Sequence, residues 1–506
     1  MTVHPNTPVL VATGEVIGDG TAIHAPQEMA AGAARGALSQ VGAPGAVARD
    51  LDAVAMMRSF ADSAPLFASP FGTAANPPAS LARAIGAAPR RLIHSKVGGD
   101  GPQALLNALA REVAEGALSA CLIASSDAMG SQTRAARAGL RLDWSDDFGG
   151  EPEGFGSDRP GVSAHEAAHG LAFPTTVYPL FETAYAAAKD RSWDAHRAAM
   201  GALFARMSAI AAANPNAPLT EPYAPAAITE PSPDNRLICW PYTKRMTSNM
   251  YVDHAAAVVL ASSAQADAWG VPPARRVYLH GAADTEENWF VSEREDYAAA
   301  PAMARAIDLA LGRARIDASM LSALDLYSCF PIAVELAADA LGLEGDAPAL
   351  TLTGGMPYFG GAGNAYALHA LVAMIRTLTD APGTFGLVNA NGWYLTKHSV
   401  GVYATTPVED EPDRTSDAPK HEARPAPDLN EAPSGQGRIE TYTVPVERDG
   451  RRSAILVGRD EAGRRFLARA EDEATLNALV SSVCVGTIVE VTPGGSANGP
   501  NTATLG

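Results

Sequence analysis

Several features of secreted, membrane-spanning or nucleic-acid-binding proteins are scarce in this chain of 506 residues. Its four cysteines, Cys121, Cys239, Cys329 and Cys484, lie far apart and form no C-x-x-C pair, which argues against a disulfide framework and a zinc site. No run reaches the roughly 18 apolar residues of a membrane span. The N-terminus lacks the basic and apolar segments of a signal peptide. We therefore expect a cytoplasmic protein without a membrane span.

Basic residues and aromatic residues are also in the minority. The chain has 38 Lys and Arg against 56 Asp and Glu, with a formal net charge of -18, which argues against a nucleic-acid partner. Aromatic residues make up 6% of the chain and hydrophobic residues 47%. This composition predicts a large, mainly aliphatic core.

Short apolar runs alternate with helical stretches along most of the chain. Residues 8–14, 121–126 and 255–260 are typical of buried strands, and residues 27–41 of an Ala-rich helix. Continuous apolar strands occur where helices cover both faces of a sheet. The sequence therefore predicts a layered α/β fold.

Changes in composition predict the domain boundaries. The predicted units are an N-terminal half at 1–272 with an inserted loop subdomain at about 127–249, a second half at 273–406, a linker at 407–436 and a small β-rich domain at 437–506. The linker is rich in Pro, Asp and Glu. In the last unit, 442–446, 453–457 and 487–491 are the predicted strands of a small barrel.

One Gly-rich motif occurs twice. Residues 98–109 and 360–371 share the pattern G-G-x-G-x-x-x-x-L-x-A-L. Each copy predicts a corner where a strand turns into a helix, and helix N-termini present unpaired N–H groups and positive potential. The repeat predicts two similar halves whose two corners face one site.

Five segments occur in the order of a known family's motifs. They are 97–104, like a nucleophile turn; 124–129, like G-S-E-A-M; 327–330, like H-D-C-F or N-E-A-F; 354–363, like G-G-x-x-x-x-G-H-P-x-G; and 389–392, like a C-x-G loop. Over residues 5–406 the chain resembles the thiolase superfamily, particularly sterol-carrier-type acetyl-CoA acetyltransferases. The tail is similar to the extra C-terminal domain of thiolase-like proteins of type 1.

The resemblance implies a duplicated, layered fold and a function in lipid metabolism. The expected ligand is a CoA thioester, as substrate or bound ligand, with no tightly bound cofactor and no metal. The expected chemistry is acyl transfer or carbon–carbon cleavage. The resemblance leaves open a homodimer and a partner protein.

Four positions depart from the family's catalytic pattern. Gly98 stands at the nucleophilic cysteine and Gly361 at the histidine of the G-H-P loop. Tyr327 begins the H-D-C-F-like motif, and Asn391 stands at the second cysteine. Glycine has no side chain to acylate, so we expect no route through a cysteinyl intermediate at Gly98.

Other residues are candidates for the missing chemistry. Cys329 lies at a helix start, which lowers a thiol pKa, although a buried free cysteine is also a common core residue. His398 could be a relocated base with a pKa near neutrality, or a polar hairpin residue. Asp100 is a candidate base or N-cap. Tyr327 and Asn391 complete the predicted catalytic set.

The predicted ligand-binding residues lie at and beyond the two corners. They are Gly98, Gly99, Gly101, Gly360, Gly361, Tyr358, Lys244 and Arg245. The corner N–H groups are suited to a thioester oxyanion, and the basic pair to CoA phosphates. Solvated surface charge is the alternative for the basic pair.

Two readings from other functional classes stay open. His165, Glu166 and His169 form the pattern H-E-x-x-H, which binds zinc on one helix face in metalloproteases, although no third ligand is evident. The loss of catalytic side chains also fits a non-catalytic protein that binds CoA or acyl-CoA, or that docks a partner enzyme.

Overall fold

The first half of the chain builds the larger part of a mixed sheet. The computed structural model describes residues 3–343, 349–408, 415, 420–421, 424–495 and 499–505. The elements of this half are β1 (Pro8–Ile17), α1 (Pro26–Val41), α2 (Pro44–Arg49), β2 (Ala53–Met56), α3 (Pro77–Ile85), β3 (Arg91–Ser95), α4 (Gly101–Ala114), β4 (Ala120–Ala128) and α5 (Met129–Arg137).

Between β4 and its neighbouring strand the chain makes a long excursion. Its elements are β5 (Glu153–Phe155), α6 (Ala164–Ala168), α7 (Pro174–Ala188), α8 (Trp193–Ala213), α9 (Pro225–Thr229), β6 (Leu237–Trp240) and β7 (Tyr242–Thr243). The chain then returns to the sheet as β8 (Asp253–Ser262), followed by α10 (Ser263–Ala268).

The second half and the tail follow in the same way. The second half contains β9 (Val277–Glu286), α11 (Pro301–Ala314), β10 (Leu321–Leu326), α12 (Pro331–Ala340), α13 (Tyr366–Asp380), β11 (Phe385–Gly392) and β12 (Lys397–Ala404). The tail contains β13 (Gly435–Pro445), β14 (Ala454–Asp460), β15 (Arg465–Ala470), α14 (Glu473–Ser481), β16 (Ile488–Thr492) and β17 (Thr502–Leu505).

The strand order of the large sheet repeats across its centre. The order is β10-β11-β12-β9-β1-β8-β4-β2-β3-β5. In the first half β1 and β8 are antiparallel, β8 and β4 antiparallel, and β4 and β2 parallel. In the second half β9, β12, β11 and β10 make the same three pairings in the same order. The predicted duplicated α/β fold is confirmed.

Both faces of the sheet are buried, as the apolar strands predict. Along β1, Val9 and Val11 pack in a cluster with α1 and α3, whereas Leu10 faces the main core. Alternate residues of a strand point to opposite faces, so a strand buried on both sides must be apolar throughout. The helices that follow the two Gly-rich corners, α4 and α13, pack against each other within the main core.

The tail forms a small β-barrel. The second sheet has the order β14-β15-β17-β16-β13-β6-β7, and β14 also pairs with β13, which closes the barrel. Strands β6 and β7 come from the excursion between β4 and β8, so this sheet joins two distant parts of the chain. The predicted β-rich tail is confirmed. The exact domain bounds stay a prediction, and residues 409–414, 416–419 and 422–423 of the predicted linker lie outside the described residues.

Candidate functional site

The two Gly-rich corners meet through one asparagine. The backbone N–H of Gly98, in the turn after β3, donates to Asn364 Oδ1 at 2.9 Å. The amide nitrogen of Asn364 donates to Arg58 O and to Ser63 Oγ, both at 3.0 Å. Asn364 belongs to the second corner, just before α13. The structure therefore brings the two corners together, as the repeat predicts.

The first corner has no free space for a nucleophile. A side chain at Gly98 would begin with a Cβ only 2.3 Å from Asp100 Oδ1 and 2.4 Å from Lys397 Nζ. At Gly99 the Cβ would lie 1.9 Å from Tyr327 Oη. The side chains of Asp100, Lys397 and Tyr327 thus occupy the volume that a larger residue at these positions would need.

Asp100 and Lys397 form an ion pair at the start of α4. Lys397 Nζ lies 3.1 Å from Asp100 Oδ1 and donates to Val97 O at 3.0 Å. The two side chains are 11% and 10% exposed. Asp100 occupies the N-cap position of α4, but its side chain makes no capping hydrogen bond. The predicted capping role is therefore wrong, because the carboxylate turns to the lysine instead.

The second corner is filled by a serine that the sequence analysis did not select. A Cβ at Gly361 would lie 1.7 Å from Ser248 Oγ. Ser248 N donates to Cys329 O, and the N–H of Gly361 donates to Asn249 O at 2.8 Å. Ser248 is half-buried, so its hydroxyl is a polar group at the position of the missing histidine. The signal for Ser248 is its position in space, which no motif encodes.

Gly360 and Gly101 shape the turns. Gly360 has a φ of +128°, which few residues besides glycine adopt, and a Cβ there would lie 2.7 Å from His254 Cε1. Gly101 begins α4, and its N–H donates to Gly98 O at 3.0 Å. Both predicted glycines therefore lie at the corners, with backbone rather than side-chain roles.

Cys329 has the opposite acidity from the one predicted. Burial raises the pKa of the Cys329 thiol to about 12, and hydrogen bonds from Tyr178 and Asn391 offset only part of that rise. The Tyr178 hydroxyl also lies 3.0 Å from Asn391 Oδ1. The expected low pKa at the start of α12 is wrong, since desolvation outweighs the helix start. Cys329 is a neutral thiol at pH 7.

His398 is also placed against its predicted role. Burial, together with the nearby Arg294 charge, lowers its pKa to about 3, and its Nε2 contacts Leu395 O at 3.1 Å. Successive residues of a strand point to opposite faces. Since Lys397 points into the first corner, His398 points away from it. The expected pKa near neutrality is wrong, because burial disfavours the charged imidazole.

Tyr358 connects the second corner with the predicted basic residues. Its ring lies 5.9 Å from the ring of Tyr223, and the Arg245 guanidinium lies 4.2 Å from the centre of the Tyr223 ring. Arg245 also donates to Ala227 O at 2.7 Å, and Lys244 is exposed. These residues form a row of aromatic and cationic groups from the corner towards the surface.

The H-E-x-x-H segment does not fit a zinc site. The N–H of Asn501 donates to His169 Nε2 at 3.1 Å, and His169 Nδ1 lies 2.8 Å from His165 O. Both ring nitrogens are therefore used. The two carboxylate oxygens of Glu166 accept from Ser163 N and Ser292 N. This segment holds the barrel and the core together.

A cluster of two glutamates and one histidine among the described residues has spacing that could suit a metal ion. Glu182, His196 and Glu335 place one ligand atom each within 4.8 Å of one another. His196 Nδ1 lies 3.4 Å from Arg191, which only donates, so His196 Nε2 carries the proton and donates to Glu182 at 2.5 Å. A protonated Nε2 has no lone pair for a metal ion. Glu182, His196 and Glu335 therefore fit a hydrogen-bonded core better than a metal site.

Comparison with known proteins supports the family. The model of the family "Thiolase-like protein type 1 additional C-terminal domain" matches residues 419–496. A monomeric SCP2-thiolase-like protein type 1 from Mycobacterium smegmatis is 33% identical, with a TM-score of 0.84 over 100% of both chains. No curated protein sequence matches this chain.

Two further solved structures share the fold at low identity. The Ltp2-ChsH2(DUF35) aldolase is 16% identical with a TM-score of 0.58, covering 79% of this chain and 98% of the other. An acetyl-CoA acetyltransferase from Syntrophomonas wolfei is 14% identical with a TM-score of 0.56, covering 80% and 100%. In the described part of the chain, no helix has the length and apolar character needed to cross a membrane.

Proposed function

Because the chain belongs to the SCP2-thiolase-like protein type 1 family, we propose that it binds an acyl-CoA thioester between its two Gly-rich corners without forming a cysteinyl intermediate. The observation that carries this proposal is the Asp100–Lys397 ion pair in the space beside Gly98. A charged pair there offers hydrogen bonds to a thioester, whereas Gly98 supplies no thiol for a thioester to acylate.

The acidity of the candidate thiol supports a non-covalent function. The thiolate is the nucleophilic form of cysteine, and with its pKa near 12 Cys329 is almost entirely protonated at neutral pH. His398, whose pKa lies near 3, points away from the first corner. Neither residue supplies the activated pair that acyl transfer through cysteine needs.

The basic row beyond the second corner suits the nucleotide end of CoA. Lys244 is exposed, and Arg245 stacks on Tyr223 beside Tyr358. Arginine and aromatic side chains together favour phosphate and adenine groups. In this arrangement the thioester faces Lys397 and the phosphates face Lys244.

A second candidate function is carbon–carbon cleavage of a β-hydroxyacyl-CoA. Asp100 and Lys397 place a proton acceptor and a cation in one corner. The acceptor would take the hydroxyl proton, the bond between the α- and β-carbons would break, and its electron pair would form an enolate beside Lys397, to be reprotonated later. A protein of this fold that is an aldolase is consistent with such chemistry.

Calorimetric titration with CoA and acetoacetyl-CoA tests the proposal. We expect binding to the wild-type chain and an affinity about ten- to a hundredfold lower for Lys397→Met, as for the loss of a charge-assisted hydrogen bond. The matched control is Lys189→Met, which removes a lysine from the surface of the inserted helices. We expect no effect from this control.

Intact-mass measurement after incubation with acetyl-CoA separates binding from covalent catalysis. We expect no acetylated protein. An adduct on Cys329 would overturn the proposal, as would the absence of any heat on titration. Release of a shorter acyl-CoA and an aldehyde or ketone from a β-hydroxyacyl-CoA would favour the second candidate.

A further inference from the structure

We propose that the C-terminal barrel positions Lys397 through two buried arginines, Arg465 and Arg294, which makes the barrel part of the candidate ligand site. The proposal rests on the proposed function in one respect, since it treats Lys397 as a residue that faces the ligand. Both arginines act through the lysine, so they are positioning residues. Neither contacts the Gly-rich corners.

Arg465 connects the barrel to the second half of the core. It is the first residue of β15, and its side chain is fully buried. Its guanidinium donates to Ser292 O at 3.0 Å and to Arg294 O, while its Nε donates to Glu440 at 2.6 Å. The rigid fork of donors in arginine fixes both partners at once. Residues 292–294 are thereby held against the barrel.

Arg294 passes this constraint to the turn between β11 and β12. It is buried, and it donates to Leu395 O at 3.0 Å and to Tyr394 O at 3.1 Å. It also donates to Thr396 Oγ1 at 2.9 Å and to Asn288 O at 2.7 Å. Three successive residues of the turn are therefore bound by one guanidinium group.

The turn itself adopts an unfavourable backbone conformation. Trp393 has a φ of +55° and Leu395 a φ of +53°. Residues other than glycine rarely adopt this region, and they remain there only where the surroundings hold them. Arg294 supplies that constraint on the carbonyl side of Leu395. Lys397 is the first residue after this turn, and its ammonium group reaches Val97 O and Asp100.

The variant Arg465→Gln tests whether the barrel holds the turn that precedes Lys397. Arg459→Gln is its control. Arg459 donates to the same Glu440 at 2.8 Å and to Gly463 O, so its loss weakens the barrel's charge pair without removing the donors to residues 292–294. Hydrogen exchange of residues 393–397 and acylation of Lys397 by a water-soluble succinimidyl ester, both followed by mass spectrometry, are the readouts.

In Arg465→Gln we expect both rates to rise about tenfold or more, because a buried charged donor to two carbonyls is lost. In Arg459→Gln they should stay at the wild-type values. The affinity for acetoacetyl-CoA should fall in the first variant only. Exchange in β8 serves as the internal reference, since a general loss of stability would raise it as well.

A second variant guards against misfolding. Thr396→Val removes one acceptor of Arg294 and leaves the barrel unchanged. It should loosen the turn in the same direction. Unchanged exchange and labelling at residues 393–397 in a folded Arg465→Gln or Thr396→Val protein would overturn the proposal. If wild-type protein binds no CoA thioester, the proposed function fails, while the exchange result still decides whether the barrel holds the turn.

Discussion

At the scale of single residues, space explains the site better than residue type does. The sequence identifies Gly98 and Gly361 as departures from a catalytic pattern, but it does not show what fills the space beside them or beside the neighbouring Gly99. The structure places Lys397, Tyr327 and Ser248 there. Ser248 is distant along the chain from Gly361 and belongs to none of the five motifs, so a motif search could not find it. The positions of all three residues depend on the packing of both halves.

Gly99→Ala is expected to destabilise the protein. Its Cβ would lie 1.9 Å from Tyr327 Oη and 2.7 Å from the backbone oxygen of Asn391, and overpacking of this kind costs about 1–3 kcal/mol. Gly312→Ala is the matched control, since Gly312 lies in α11 with no atom within 4 Å of its Cβ. That change should stabilise the fold by about 0.5–1 kcal/mol. Urea denaturation measures the change in the free energy of unfolding for both variants. Equal changes would contradict the steric clash at Gly99.

At the scale of elements, strands buried on both faces were predicted correctly, and strands completed by distant partners were not. The apolar runs at 8–14, 121–126 and 255–260 lie in β1, β4 and β8. By contrast, β6 and β7 are short, and they become strands because β13 pairs with β6. The predicted inserted loop subdomain contains the two long helices α7 and α8.

The contact between α7, α8 and α12 should depend on pH. Burial raises the pKa of Glu182 to about 7, and burial together with the charge of Glu182 raises the pKa of Glu335. A carboxyl group whose pKa is raised on folding stabilises the fold below its unfolded pKa, and this stabilisation is lost as pH rises. The loss should occur between about pH 4.5 and 7.

Glu335→Gln should therefore be more stable than wild type at pH 8 and closer to it at pH 5, because the amide is neutral at every pH whereas burial raises the pKa of Glu335. Chemical denaturation at both pH values measures this difference. Asp339→Asn on the same helix is the control, because Asp339 is 44% exposed and pairs with Lys189 on the surface. If Glu335→Gln gains the same stability at both pH values, the raised pKa of the buried Glu335 carboxyl is contradicted.

At the scale of the whole molecule, strands at both ends of the large sheet have further backbone partners. At one end β5 pairs with β3, and ion pairs join Arg91 to Glu153 at 2.8 Å and Lys96 to Asp158 at 2.6 Å. At the other end the N–H of Leu326, in β10, donates to Leu350 O at 2.9 Å. Covered edges do not offer their backbone groups to a second chain. The sequence left a homodimer open, because nothing in β5 marks it as an edge cover.

We expect a monomer in light scattering of the purified protein. The double variant Glu153→Arg and Asp158→Arg should detach the cover, expose the edge of β3 and promote dimers or larger species. Glu151→Arg changes the charge just before β5 without touching either ion pair and should remain monomeric. A wild-type dimer, or a double variant that stays monomeric while β5 exchanges rapidly, would contradict this explanation.

The second sheet, which β6 shares with the C-terminal barrel, also affects folding during synthesis. On the ribosome β6 emerges well before β13, the strand with which it pairs. Until then the Thr183 hydroxyl lacks the acceptor that Tyr442 O provides, and the Thr441 hydroxyl has yet to reach Leu180 O. A nascent chain that stops before Gly435 would carry an open strand edge, the kind of surface that chaperones bind and that favours aggregation. The core therefore depends on the barrel, because without β13 the strand β6 and helix α7 lose their partners in the second sheet.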